Sequence, residues 1–383
     1  MAVAIVGVGE TDYSWKDPRP VPALALDACR RALADAGLAP ADVDGFVVEA
    51  HSMVTRAPVD EIAPRLGVRD RRFSAAIGLA GSGTVGAALL ARLAIESGLA
   101  DVVVAYYAIN LSLRGAGGAY GYHAHDPAKA AFEMPMGYYG QPVYFAQAAQ
   151  RYMHEFGATH EQLGAVAVST RQHARRTPNA LRREPLSLEQ YLGQPYLSEP
   201  LRKLDCCLVN DGGVAYVFTS LERARDLPHP PVVVAGVGMG YKPVTQAQYF
   251  SQSADLLTTA ATMSGPRAFA DAGLSPADVD VAEIYDCFTI SMLLQLEDLG
   301  FAAKGEGAAL AATGALGPGG SLPVNTHGGL LSQSYTVGGN HVVEAVRQLR
   351  GERGEAQVAG AEVALVAGLG APEHATMILT VDR

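Results

Sequence analysis

The chain has 383 residues, 49% of them apolar and 18% charged, which is enough for a buried core and excludes a disordered chain. Its formal charge of −10, without a long basic run, argues against nucleic acid as the main partner. No apolar run reaches the ~18 residues of a membrane helix, and the start, M-A-V-A-I-V-G-V-G, reads as a strand rather than a leader. Four cysteines (Cys29, Cys206, Cys207 and Cys287) lack metal-ligand spacing and suit a reducing, cytoplasmic location.

Ala2–Val8 is predicted to be a buried strand, Ala23–Ala36 a helix entered by Pro22 and closed by Gly37, and Val43–Val48 the next strand. Small residues at Ala80–Thr84 (A-G-S-G-T) open a helix over Val85–Ser97. Such a turn allows a close ligand approach or tight helix–sheet packing. A strand follows at Asp101–Tyr107. Residues Leu111–Asp205 read as an insertion: a Gly/Tyr/His stretch at Gly115–His125, a helix near Phe145–Phe156, and a basic segment at His173–Arg183. The insertion suits a cap or substrate-binding layer. His123, His125 and Asp126 have no further ligand motif, so no metal is assigned. Arg175, Arg176, Arg182 and Arg183 suit a solvated face or, alternatively, a coenzyme phosphate. Cys206-Cys207 read as structural thiols before a strand, with N-D-G-G at Asn210–Gly213 as its turn.

The chain then repeats itself. A-D-A-G-L-A-P-A-D-V-D at Ala34–Asp44 returns at Ala270–Asp280 with one change, Ala39 against Ser275, and A-I-V-G-V-G at Ala4–Gly9 corresponds to V-V-A-G-V-G at Val233–Gly238. An internal duplication of this length predicts two βαβ-rich halves, residues 1–230 (including the inserted region 111–205) and 231–383, joined near Asp226–Pro231. In the second half, the strand Val281–Ile284 leads into Y-D-C-F at Tyr285–Phe288 and a helix at Thr289–Leu299. The stretch V-N-T-H-G-G-L-L-S-Q-S-Y-T-V-G-G, Val324–Gly339, places Tyr335 before a helix marked by Val342, Val343, Val346 and Leu349. A hairpin, Ala361–Gly368 with His374–Thr380, turns at Gly368–Gly370.

These features resemble the thiolase superfamily along essentially the whole chain, and within it the lipid-transfer-protein (sterol-carrier-protein X) branch. The resemblance rests on the duplication, D-C-C-L-V-N-D-G-G at Asp205–Gly213, Y-D-C-F, and N-T-H-G-G-L-L-S-Q-S-Y-T-V-G-G at Asn325–Gly339. It implies an α/β fold with a layered α/β/α/β/α core and an inserted cap. The departures carry the function. The turn where thiolases hold a nucleophilic cysteine is Gly81-Ser82-Gly83-Thr84, and Ser82 or Thr84 could replace it only with a histidine base that is not evident. Tyr285 stands where the branch has the histidine of H-D-C-F, Tyr335 where it has that of G-H-P, and Ala367–Gly370 lacks the second thiol.

Two tyrosines without a nucleophile resemble the thiolase-like steroid side-chain aldolases. That resemblance implies retro-aldol cleavage of a β-hydroxyacyl-CoA, most specifically a 17-hydroxy-3-oxo-pregnene-20-carboxyl-CoA, to a 17-ketosteroid and propionyl-CoA. Tyr335 is then assigned as base and Tyr285 as donor to the enolate, with the reverse also open. Asp286 and His327 are assigned supporting roles, and backbone around Gly81, Ser82, Gly83, Gly338, Gly368 and Gly370 is expected to bind the oxyanion. Coenzyme A enters as part of the substrate thioester, with no prosthetic group or metal. The group also implies a homodimer and a separate OB-fold partner carrying a zinc ribbon. A non-catalytic acyl-CoA-binding scaffold and a thiolase or condensing enzyme with an atypical nucleophile are the alternatives.

Overall fold

The computed structural model describes residues 1–50, 57–112, 127, 129–138, 140–244 and 251–382. Its strands are β1 (Val3–Glu10), β2 (Gly45–Glu49), β3 (Phe73–Ile77), β4 (Val102–Asn110), β5 (Tyr196–Ser198), β6 (Leu201–Arg202), β7 (Asp211–Ser220), β8 (Val232–Tyr241), β9 (Val281–Ile284), β10 (Val363–Leu369) and β11 (Glu373–Val381). All but β5 and β6 form one mixed sheet in the order β3-β2-β4-β7-β1-β8-β11-β10-β9. The two halves are mirror-ordered about the β1–β8 seam, where only Ala4↔Val233 and Ile5↔Val232 pair.

The duplicated sequence does the same work twice. Each copy ends a helix on a left-handed glycine, Gly37 or Gly273, both at φ 67°. Each then makes a short 3₁₀ turn, Pro40–Asp42 or Pro276–Asp278, closed by an aspartate that accepts a backbone N–H three residues back. Asp35 accepts the amide of Val8 on β1, and Asp271 accepts that of Val237 on β8. Asp44 accepts the amides that open β4, and Asp280 those that open β10. The repeated acids therefore satisfy strand-entry donors that would otherwise be left unpaired.

The Val21–Ala36 helix covers β1, β7 and β4 on one outside face, and the Ala261–Ala272 helix covers β8 and β11 on the other. Between the halves lie the helices Gly81–Glu96 and Gly339–Leu349, each touching strands of both. Both interior helices are buried along most of their length, as their place against strands of both halves requires. The layers are thus α/β/α/β/α, as the resemblance implies. The inserted helices Gln141–Phe156 and His160–Ala174 pack on the second half, where Phe145 stacks on Phe288 with ring centroids 4.4 Å apart.

One expectation fails. Asn210–Gly213 is not a turn: Asp211-Gly212-Gly213 begins β7 and pairs with Asn110, Ile109 and Ala108. The small residues there admit the Tyr13 ring and the Leu24 carbonyl against the strand, so close packing, not chain reversal, explains them.

Candidate active site

Two loops of the second half bring the tyrosines together. Tyr285 follows β9 directly, and its amide donates to Ala367 O on β10. Tyr335 follows a helical turn at Gly329–Gln333, and its amide donates to Asn210 Oδ1 at 2.7 Å. The two hydroxyls, 50 residues apart in sequence, stand 3.3 Å apart, with Tyr285 donating to Tyr335. Tyr285 is buried and Tyr335 half-buried. Burial is the largest influence on both phenols and raises both, so both are neutral at rest. The shared hydrogen bond separates them: it raises the donor Tyr285 further and lowers the acceptor Tyr335.

The first half contributes a bare stretch of backbone. A methyl built on Gly81 would stand 2.3 Å from the Tyr285 ring and 2.5 Å from Leu369 O, and one on Gly368 would stand 2.0 Å from Gly81 O. Only glycine lets the two halves and the phenol ring approach this closely. Gly81 and Ser82 open the interior helix, so their amides have no acceptor within it. The Gly83 amide donates to Ala80 O and the Gly370 amide to Glu373 O, so these two of the expected oxyanion donors are already engaged. Gly338 caps the Gly339–Leu349 helix at φ 81°, against the edge of the Tyr285 ring.

Strain marks the same place. Ala80 sits at φ 50°, ψ −128°, and Val337, a β-branched residue, at φ 54°. Such backbones cost on the order of 1–3 kcal/mol each and persist only when neighbours impose them. Glu49 accepts the Ala80 amide at 3.0 Å, and Thr84 Oγ1 donates to Val337 O at 2.6 Å. Sequence reasoning counted Ala80 among the small residues that open the helix, but nothing in its identity signals the strain.

The alternative nucleophiles have no base. Ser82 Oγ donates to Leu79 O at 2.7 Å, and Thr84 Oγ1 is held by Gly81 O and Val337 O. Burial pushes the Cys287 thiol up to about 12 and raises Cys206 and Cys207 as well, so none is a ready thiolate.

Asp286 is fully buried and accepts the amides of Leu330 (2.8 Å) and Leu331 (3.3 Å), tying the Tyr285 loop to the one carrying Tyr335. His327 does not reach the surface. It is fully buried between Glu283, Asn340 and His341, the last of which has no distinguishing motif in sequence. Arg171, Arg175, Arg182 and Arg183 line a cavity of about 680 Å³. The Arg182 amide donates to Ser332 O on the Tyr335 loop, and Arg176 lies exposed outside the cavity lining. His123, His125 and Asp126 lie outside the described residues. No helix among the described residues is long and apolar enough to cross a membrane.

The meeting point of the two halves thus sets two neutral phenols beside a bare stretch of backbone. Residues 243–381 match the family model described as thiolase C-terminal domain-like. The chain is 40% identical over 378 residues to the 17-hydroxy-3-oxo-4-pregnene-20-carboxyl-CoA lyase of Mycobacterium tuberculosis, covering 96% of this chain and 97% of that one. It is 38% identical over 393 residues to the steroid side-chain-cleaving aldolase of Thermomonospora curvata, covering 100% and 98%. Among solved structures, the Ltp2-ChsH2(DUF35) aldolase superposes with a TM-score of 0.92 at 38% identity, covering 100% of this chain and 98% of that one. Human mitochondrial 3-ketoacyl-CoA thiolase, at 15% identity and a TM-score of 0.72, shares the fold. The chain belongs to the thiolase superfamily and, within it, to the steroid side-chain-cleaving aldolases. It is a carbon–carbon lyase.

Proposed function

We propose that this chain cleaves a 17-hydroxy steroid side-chain CoA thioester by a retro-aldol reaction, releasing a 17-ketosteroid and propionyl-CoA. The observation that carries the mechanism is the 3.3 Å hydroxyl pair and its polarity. Tyr335, which accepts the Tyr285 hydrogen bond, takes the proton of the β-hydroxyl on its oxygen as its own phenolic proton leaves toward the α-carbon. The Cβ–O bond becomes a carbonyl, the Cα–Cβ bond breaks, and its electrons enter the thioester as an enolate. Tyr285, held protonated, and the Gly81 and Ser82 amides face the enolate oxygen. The phenolic proton released by Tyr335 protonates the α-carbon, so Tyr335 ends neutral as it began, no covalent intermediate forms and the thioester itself is the electron sink. Coenzyme A is the carrier of the acyl group, and no prosthetic group takes part in this scheme.

The relatives' names support the substrate class, and the neutral, donor-rich tyrosine pair supports the reaction type. Mass spectrometry of products from a 17-hydroxysteroid side-chain CoA thioester tests the reading. The expected products are the 17-ketosteroid and propionyl-CoA; unchanged substrate in the presence of every needed subunit would refute it. Replacing Cys287 or Cys206 by Ala should leave at least about half of turnover, because no thiol takes part. A substrate-derived mass adduct on any cysteine would overturn the non-covalent scheme.

The same reading includes assembly and place. β3 ends the sheet, and its residues alternate between partial and full exposure, a free edge that suits pairing with a second copy. The partner that completes the acyl-CoA site is taken to be the OB-fold, zinc-ribbon protein that the family resemblance implies; the second protein in the name of the Ltp2-ChsH2(DUF35) aldolase supports a partner as such. Four free thiols suit a cytoplasmic location.

A further inference from the structure

Each tyrosine of the pair has a peptide group held by a buried carboxamide. Asn210, the residue before β7, accepts the Tyr335 amide on Oδ1 at 2.7 Å and donates through Nδ2 to Ser334 Oγ at 2.9 Å. Gln295, on the helix Thr289–Asp298, donates through Nε2 to Tyr285 O and to Ser291 O, both at 2.7 Å. These partners fix how each carboxamide is turned. A backbone N–H only donates, so the Asn210 atom facing Tyr335 is the oxygen. Carbonyls only accept, so the Gln295 atom facing Tyr285 and Ser291 is the nitrogen.

Gln295 is itself held from behind. With its nitrogen committed, Oε1 remains, 3.1 Å from His374 Nε2 on β11. Oε1 has no hydrogen to give, so Nε2 of His374 carries the proton. Burial lowers His374 to about 3, which keeps the ring neutral and leaves Nδ1 as an acceptor. Ser264 Oγ donates to Nδ1 at 2.7 Å, and Thr376 Oγ1 in turn donates to Ser264 Oγ at 2.9 Å. Gln295, His374, Ser264 and Thr376 are all fully buried, and each atom named here has its partner.

Tyr285 is thereby fixed on both sides of its own Cα, the N–H on Ala367 O at 3.1 Å and the C=O on Gln295. Asn210 and Gln295 have no accessible surface, so neither touches a substrate, and their effect on turnover must pass through the tyrosines. A tyrosine has two side-chain torsions, so a tilt of its peptide is carried to the hydroxyl by a stiff lever. A misplacement of ~1 Å at a reacting group can cost about 10²-fold in rate. We propose that Asn210 and Gln295 are the positioning residues of the tyrosine pair, setting the separation of its two hydroxyls, with His374 backing Gln295. The proposal rests on the two-tyrosine reading above.

The test uses the full chain with its partner subunit present. Gln295→Met, similar in length but without a donor, should lower kcat at least about tenfold and leave KM within about threefold. In a Tyr285→Phe background no hydroxyl remains there to be placed, and the same change should lower kcat by less than about threefold. Its effect on melting temperature should be the same in both backgrounds, because the same hydrogen bonds are lost. Asn210→Leu should behave likewise, with Tyr335→Phe as its background. A kcat loss of equal size with and without the hydroxyl marks a merely structural role and would overturn the proposal, as would unchanged kcat in either folded single variant. Should one variant fail to fold, the cycle on the other decides alone. The two-tyrosine reading fails differently: Tyr285→Phe or Tyr335→Phe would then turn over at the wild-type rate, whereas failure of the positioning role leaves both slow.

Discussion

Replacing Tyr335 by Phe should reduce kcat by about 10²–10³-fold, or about 3–4 kcal/mol of transition-state stabilisation at 1.36 kcal/mol per tenfold. The ring stays, and the Tyr335 amide keeps its bond to Asn210, so the loop has no reason to move. The cost to folding is the lost partner of the Tyr285 hydroxyl, on the order of 1 kcal/mol, or a few degrees in melting temperature for a chain of this size. Tyr285→Phe should cost about 10²-fold through loss of the enolate donor. Because the two phenols act through one hydrogen bond, the double variant should be little slower than the worse single one. Steady-state kinetics beside thermal melts would settle this. Wild-type turnover in either single variant would take that tyrosine out of the mechanism.

The second large effect expected is dependence on another protein. The isolated chain should turn over at least tenfold more slowly than the chain supplied with an OB-fold, zinc-ribbon partner. Among the described residues, the one His/Cys/Asp/Glu group with metal-like spacing is the Glu283–His327–His341 cluster, and the cysteines form no zinc quartet. The Ltp2-ChsH2(DUF35) aldolase, so similar in fold, carries a second protein in its name. Arg171 and Arg182 give this chain a cavity suited to an anion, tied to the Tyr335 loop by the Leu181 and Arg182 amides on Gln333 O and Ser332 O and by Arg171 Nε on Ser332 Oγ. Assaying the purified chain with and without the partner is decisive. Full activity alone, unraised by addition, would refute the dependence.

The layered fold was legible because the duplication repeats whole motifs, and each repeated aspartate recurs for a definable backbone task. The tyrosine pair was legible only through motifs, since no property of position 285 or 335 in isolation implies that their hydroxyls meet. The strain at Ala80 and Val337 was not legible because it is a property of φ and ψ, imposed here by Glu49 and Thr84 from distant segments. N-D-G-G misled because its composition suits a turn, while the packing of Tyr13 and Leu24 against β7 asks for the same small residues. His341 escaped because a histidine on a buried helix face has no sequence signature; its nearness to His327 and Asp286 is visible only in the fold.

The seam at Gly81 and Gly368 implies a division of labour between two copies that began alike. Both proposed proton-transfer groups come from the second copy; the first supplies peptide groups stripped of side chains where Gly81 approaches the phenol, and the Asn210 side chain that accepts the Tyr335 amide. Chemistry can therefore be altered in one copy while the other is held almost invariant in shape. Enlarging the acceptor surface by a single carbon at Gly81 would disturb the site more than most changes of polarity around it.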